Sequence, residues 1–144
     1  MFLNKAIELA IENLKNGGDP FGAVLVKDNE IIAKGVNELH HFPHVSGHAE
    51  LLAITRAQEL LNRTDLSDCI LYASGHPCPM CLGAIGFSNI KKVIYSNTLE
   101  ECADKGLGLS SDIYDYIKGA QTLDLELIHE PRALNALTGL SISD

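Results

Sequence analysis

The sequence predicts a layered α/β domain, with a sheet covered by helices on both faces. Three observations predict it. Short β-rich runs stand at 23–26, 31–33, 69–73 and 92–95, helical periodicities separate most of them, and 144 residues suit one domain, read as 1–144.

Leu3, Ile7, Ala10, Ile11 and Leu14 recur at helical spacing. Asn16-Gly17-Gly18-Asp19-Pro20 then ends that helix with residues that break one. Ala23 to Val26 and Ile31 to Ala33 read as two strands, joined through Lys27-Asp28-Asn29-Glu30, a turn-forming run that suits a hairpin. A loop from Asn37 to Gly47 carries His40, His41 and His44, read as solvated side chains before a second metal site, and leads into a helix over about His48 to Leu61.

Cys69 to Ala73 is a short buried strand, followed by Ser74-Gly75-His76-Pro77 and a third helix over Met80 to Phe87. Lys92 to Tyr95 is the next strand. Beyond Thr98 the pattern suggests a helix around Ile113, Tyr116 and Ile117, a strand from Leu123 to Ile128, and a last helix from Ala133 to Leu140. Gly106 to Ser111 lacks the Lys of a phosphate loop and reads as a loop or lid.

An apolar fraction of 46% and a charged fraction of 21% exclude disordered and fibrous classes. No run is apolar and long enough to span a membrane, and residues 1–14 carry acids where a secretion signal needs a basic segment, so a cytoplasmic protein is expected. Eleven basic against nineteen acidic residues give a net charge of -8, which repels phosphate backbones and favours a small neutral substrate over nucleic acid. Four cysteines in such a chain point to metal or thiol chemistry before disulfides.

The chemistry concentrates in two motifs, His48-Ala49-Glu50 and Pro77-Cys78-Pro79-Met80-Cys81, each opening a predicted helix. A catalytic zinc needs three protein ligands and an open position for water, and one His with two Cys meets that count. A Cys-x-x-Cys at a helix start turns both sulfurs toward one point, where the helix dipole stabilises thiolates. Glu50, two positions from His48, is near enough to act as a proton shuttle without being a ligand.

Two other readings stay open at this point. A structural zinc would need a fourth Cys or His, yet Cys69 and Cys102 show no ligand spacing and read as small packing residues. A thioredoxin-like redox pair would account for Cys78 and Cys81 and leave His48 and Glu50 unexplained. His-x-Glu followed by Pro-Cys-x-x-Cys is itself a known signature of zinc-dependent nucleobase deaminases, matched here and not deduced from spacing.

With these motifs the sequence resembles the cytidine deaminase-like superfamily, in the branch of bacterial guanine deaminases, fungal-type cytosine deaminases and tRNA adenosine deaminases. The resemblance runs to about Tyr116 and is carried by Pro20-Phe21-Gly22-Ala23-Val24, Val26-Lys27-Asp28, and above all the block from Asp68 to Ile85. It implies a three-layer α/β/α sandwich with a central mixed sheet of about five strands. It also implies one zinc per subunit on His48, Cys78 and Cys81, Glu50 as general acid/base, Asn37 and the Ala49 backbone N–H on the base, and Phe21 and Phe87 as aromatic walls.

The implied reaction is hydrolytic deamination of a free base, guanine to xanthine plus ammonia before cytosine, isocytosine, an aminotriazine or tRNA adenosine. A homodimer is implied as well, with apolar residues near Ile85 and Phe87 available for its interface. The chain departs from the guanine deaminase pattern in two places. Serines stand at Ser110 and Ser111 where an acidic pair is usual, and residues 136–144 lack the aromatic tail.

Overall fold

The structure, a computed structural model, describes residues 1–119. Its elements are α1 (Phe2–Lys15), β1 (Gly22–Lys27), β2 (Glu30–Val36), α2 (Ala49–Leu61), β3 (Cys69–Gly75), α3 (Pro79–Phe87), β4 (Lys92–Asn97), α4 (Leu99–Asp104) and α5 (Leu109–Ile117). The sheet order is β2-β1-β3-β4, with β1 antiparallel to both neighbours and β3 parallel to β4. The expected mixed sheet is present, but with four strands among the described residues instead of about five. The strand expected over 123–128 and the helix over 133–140 lie outside the described residues.

The β1–β2 hairpin follows from its turn residues. Asp28 and Asn29 both take left-handed backbone angles, φ 51° and 64°, which two-residue hairpins need to match the twist of their strands. β1 lies between two strands with both faces covered, and Gly22 to Val26 are all buried. Ala23 and Leu25 belong to the main core with Ala33, Leu66, Cys69 and Leu71, on the face that receives α2. On the other face α1 packs across β1 and β3, and Phe2 meets Tyr72 at a ring separation of 5.4 Å.

The buried face of α1 follows the stripe read from the sequence only in part, through Ala10 and the half-buried Leu3 and Ile7. Ala6, Ala10 and Asn13 are buried, whereas Ile11 and Leu14 are exposed. Small residues let the helix lie close to the sheet, so close that a Cβ on Gly22 would strike the Ala6 carbonyl oxygen. Gly35 does the same for α2, since a Cβ there would collide with the Ala49 carbonyl oxygen. That approach seats the first turn of α2, and with it His48 and Glu50, directly over the sheet.

β3 and β4 are parallel, so a crossover must join them, and α3 supplies it. The crossover begins just past the carboxyl end of β3, where open α/β sheets bind their ligands. The short helix α4 was not anticipated. Its signal was present in Thr98-x-x-Glu101, a capping box in which each side chain accepts from the other residue's backbone N–H. Among the described residues no helix is long and apolar enough to cross a membrane.

Candidate active site and metal centre

His48 and Cys78 occupy equivalent places, each the extended residue just before a helix, with φ and ψ of -88° and 146° for His48 and -68° and 166° for Cys78. Pro79 suits the first position of α3, where a backbone N–H has no helical partner to lose. The Cys81 N–H donates to Cys78 Sγ at 3.4 Å, folding the second thiol back beside the first. α2 and α3 pack against each other, and this brings His48 to the pair.

His48 Nδ1 lies 3.4 Å from Cys78 Sγ and 3.9 Å from Cys81 Sγ. Tetrahedral zinc with ordinary Zn–N and Zn–S bonds places nitrogen and sulfur about 3.6 Å apart. The triad therefore fits such an ion, and it is the one group of three metal-ligating side chains converging to within 4.8 Å among the described residues. The soft donor set suits zinc and leaves a position open.

Glu50 is buried, with 5% of its surface exposed, and burial raises its carboxyl to about 7. A group so placed can hold or release a proton near neutrality. Cys78 is shifted the other way, toward thiolate, chiefly by the Cys81 thiol and then by His48 and the Cys81 N–H, while that same exchange and burial push Cys81 up. His48 is raised by the Cys78 sulfur.

His48, Glu50 and Cys78 border a cavity of about 230 Å³, and Cys81 is fully buried behind that lining. Phe21, Asn37, His48, Ala49, Glu50 and Cys78 form part of its lining, while Leu99, Cys102, Leu107, Leu109 and Ser110 contribute the α4–α5 side. Phe87 does not join them. It ends α3 with 87% of its surface exposed and is absent from the lining, because the helix turns its last residue outward. Cys69 is a core residue as read, but Cys102 borders the cavity and not the core.

Asn37 is held from three sides. Its N–H donates to the Phe21 carbonyl at 3.2 Å, its carbonyl accepts from Asn13 Nδ2 at 2.8 Å, and its Oδ1 accepts from the Leu39 N–H at 3.1 Å. Asn13 also donates to the Asp19 carbonyl at 2.8 Å, so one buried amide ties α1 to both loops beside the cavity. The sequence reading missed Asn13, although a lone amide in register with Ala6 and Ala10 was its signal. It also missed Tyr114, whose hydroxyl donates to the Pro77 carbonyl at 2.6 Å and whose ring meets His76 edge-on at 5.5 Å.

The model of the cytidine and deoxycytidylate deaminase zinc-binding region matches residues 1–97. The guanine deaminase of Bacillus subtilis (strain 168) is 46% identical over 106 residues, covering 73% of this chain and 68% of that protein. A tRNA-specific adenosine deaminase of Aquifex aeolicus (strain VF5) is 41% identical over 95 residues, covering 66% of this chain and 63% of its own length. The X-ray structure of guanine deaminase from Bacillus subtilis superposes with a TM-score of 0.80 at 41% identity, covering 90% of this chain and 84% of that one.

Proposed function

The chain belongs to the zinc-dependent deaminase family defined by the cytidine and deoxycytidylate deaminase zinc-binding region, and on that premise we propose that it hydrolyses the exocyclic amine of a free nucleobase, guanine to xanthine and ammonia. The observation that carries the reading is the convergence of His48, Cys78 and Cys81 beside the buried carboxyl of Glu50, at one cavity. Zinc held by these three ligands would supply an activated water at neutral pH.

Glu50 takes the proton that the attacking water gives up and passes it to the ring nitrogen beside the carbon under attack. A second transfer through the same carboxyl protonates the departing amine, which leaves as ammonia. Asn37, with its Oδ1 engaged by Leu39, offers its amide N–H groups to the base, the Ala49 N–H supplies another donor, and Phe21 gives the ring an apolar wall.

Size and charge favour a free base over a nucleic acid. About 230 Å³ is below the roughly 300 Å³ at which pockets for drug-sized ligands begin. A net charge of -8 opposes a polyanion. The reading extends to 1–144 as one deaminase domain, to the cytoplasm, where ligand thiols stay reduced, and to a homodimer through α3, where Phe87 and Leu82 are exposed whereas Ile85, expected at that interface, is buried in the core.

Ammonia release by the zinc-loaded protein, measured on guanine, cytosine, adenine, isocytosine, an aminotriazine and a tRNA anticodon stem, tests this. Turnover of guanine is expected. Activity on the tRNA stem alone would overturn it.

A further inference from the structure

Two acidic residues line the cavity, Asp19 and Glu50, and no lysine or arginine joins them among the described residues. Glu50 has its task in the proposed mechanism. Asp19 has none. It stands exposed at the rim, between α1 and β1, and among the described residues its carboxylate makes neither a hydrogen bond nor an ion pair.

The backbone holds Asp19 in place. Its carbonyl accepts from Asn13 Nδ2 and from the Phe21 N–H, both at 2.8 Å, and Pro20 restricts the residue before it to an extended conformation. The residue bearing the charge is thus anchored at the cavity, and its field reaches the metal-binding cluster. The His48 imidazole, raised first by the Cys78 sulfur, is raised further by Asp19. Leu99, Leu107 and Leu109 line the α4–α5 side, and a cleft with charges of one sign and low-dielectric walls concentrates the field inside it. The charge of a ligand is a choice open to this family, whose model is named for both cytidine and deoxycytidylate deaminases, the second named for a phosphate ester.

We propose that Asp19 is a specificity-determining residue whose carboxylate turns away anionic ligands, phosphorylated nucleotides among them, and leaves the cavity to uncharged heterocycles. This rests on the deaminase reading and deepens it, because cavity size alone does not separate a neutral heterocycle from an anion of the same shape. Repulsion raises the energy of the wrong ligand without adding a contact to the right one.

The test pairs Asp19→Asn, which removes the charge and keeps the shape, with Asp19→Glu, which keeps the charge. The ligands are xanthine and urate, purines of similar size of which urate alone is mainly an anion in mildly acidic buffer. Calorimetry on the zinc-loaded protein gives Kd for both, at low and at high salt. Asp19→Asn is expected to tighten urate about tenfold at low salt and to leave xanthine within about twofold, with Asp19→Glu behaving as the wild type. The gain on urate should shrink at high salt, which a change of shape would not do. Urate affinity that Asp19→Asn leaves unchanged, or equal gains on both ligands, would overturn the assignment. So would release of ammonia from deoxycytidylate by the wild type. A wild-type protein that releases no ammonia from any base would sink the deaminase reading itself, whereas guanine turnover with urate binding indifferent to Asp19 would sink only this inference.

Discussion

The phenol of Tyr114 donates a 2.6 Å hydrogen bond to the carbonyl of Pro77, the residue before the proposed ligand Cys78. The bond fastens α5, one wall of the cavity, to the loop that presents the sulfur. Tyr114→Phe keeps the ring against His76 and removes only the bond. Its loss should cost about 1 kcal/mol of stability and lower zinc affinity by about tenfold, read by thermal denaturation and by competition with a chromophoric chelator.

Glu50→Gln preserves volume and removes the ability to carry a proton. One zinc per chain is expected to remain while ammonia release falls by at least about 10²-fold. Metal analysis beside the activity assay decides the point, since a variant that loses its zinc would show that Glu50 holds the metal.

Cys81→Ser or His48→Ala should lose metal and activity together. Zinc removal from the wild type by a chelator should mimic them and lower the melting temperature. Zinc at a hundredfold excess over its Kd contributes about 2.7 kcal/mol, equivalent to about 10 °C in a domain of this size. Calorimetry with and without chelator measures the shift.

Gly35→Ala places a Cβ on the Ala49 carbonyl and forces α2 away from β2. Destabilisation of about 1–3 kcal/mol is expected, with a loss of zinc affinity because His48 moves with the helix. Urea unfolding and zinc titration together separate this from a purely global effect.

Phe87→Asp puts a charge on the exposed end of α3. The proposed homodimer should then dissociate to monomer in light scattering, while the monomer's melting temperature changes by less than about 2 °C, as expected for an exposed position. An unchanged mass would place the interface elsewhere.

Much of this protein was legible because its signals are local. Asp28-Asn29 specifies the hairpin turn through two residues tolerant of left-handed angles, and the two ligand motifs announce themselves through spacing at helix starts. The capping box of α4 was equally local and was overlooked. Phe87 was placed by resemblance to a base pocket, but the direction in which the last residue of α3 points depends on how the helix is seated, and the structure turns it outward. The buried face of α1 was partly misjudged for a related reason: the closeness of helix and sheet, which favours Ala6, Ala10 and Asn13 over larger aliphatics, is a tertiary quantity.

By itself the sequence determined the candidate donor set, His48, Cys78 and Cys81, and the carboxyl proposed to carry protons, Glu50, because each helix start orients its groups within one turn. Tertiary structure decided what the cavity presents to a substrate. Asn13 reaches Asn37 across 24 residues and Tyr114 reaches Pro77 across 37, and such long-range bonds tie α1 and α5 to the loops beside the cavity that His48, Glu50 and Cys78 border.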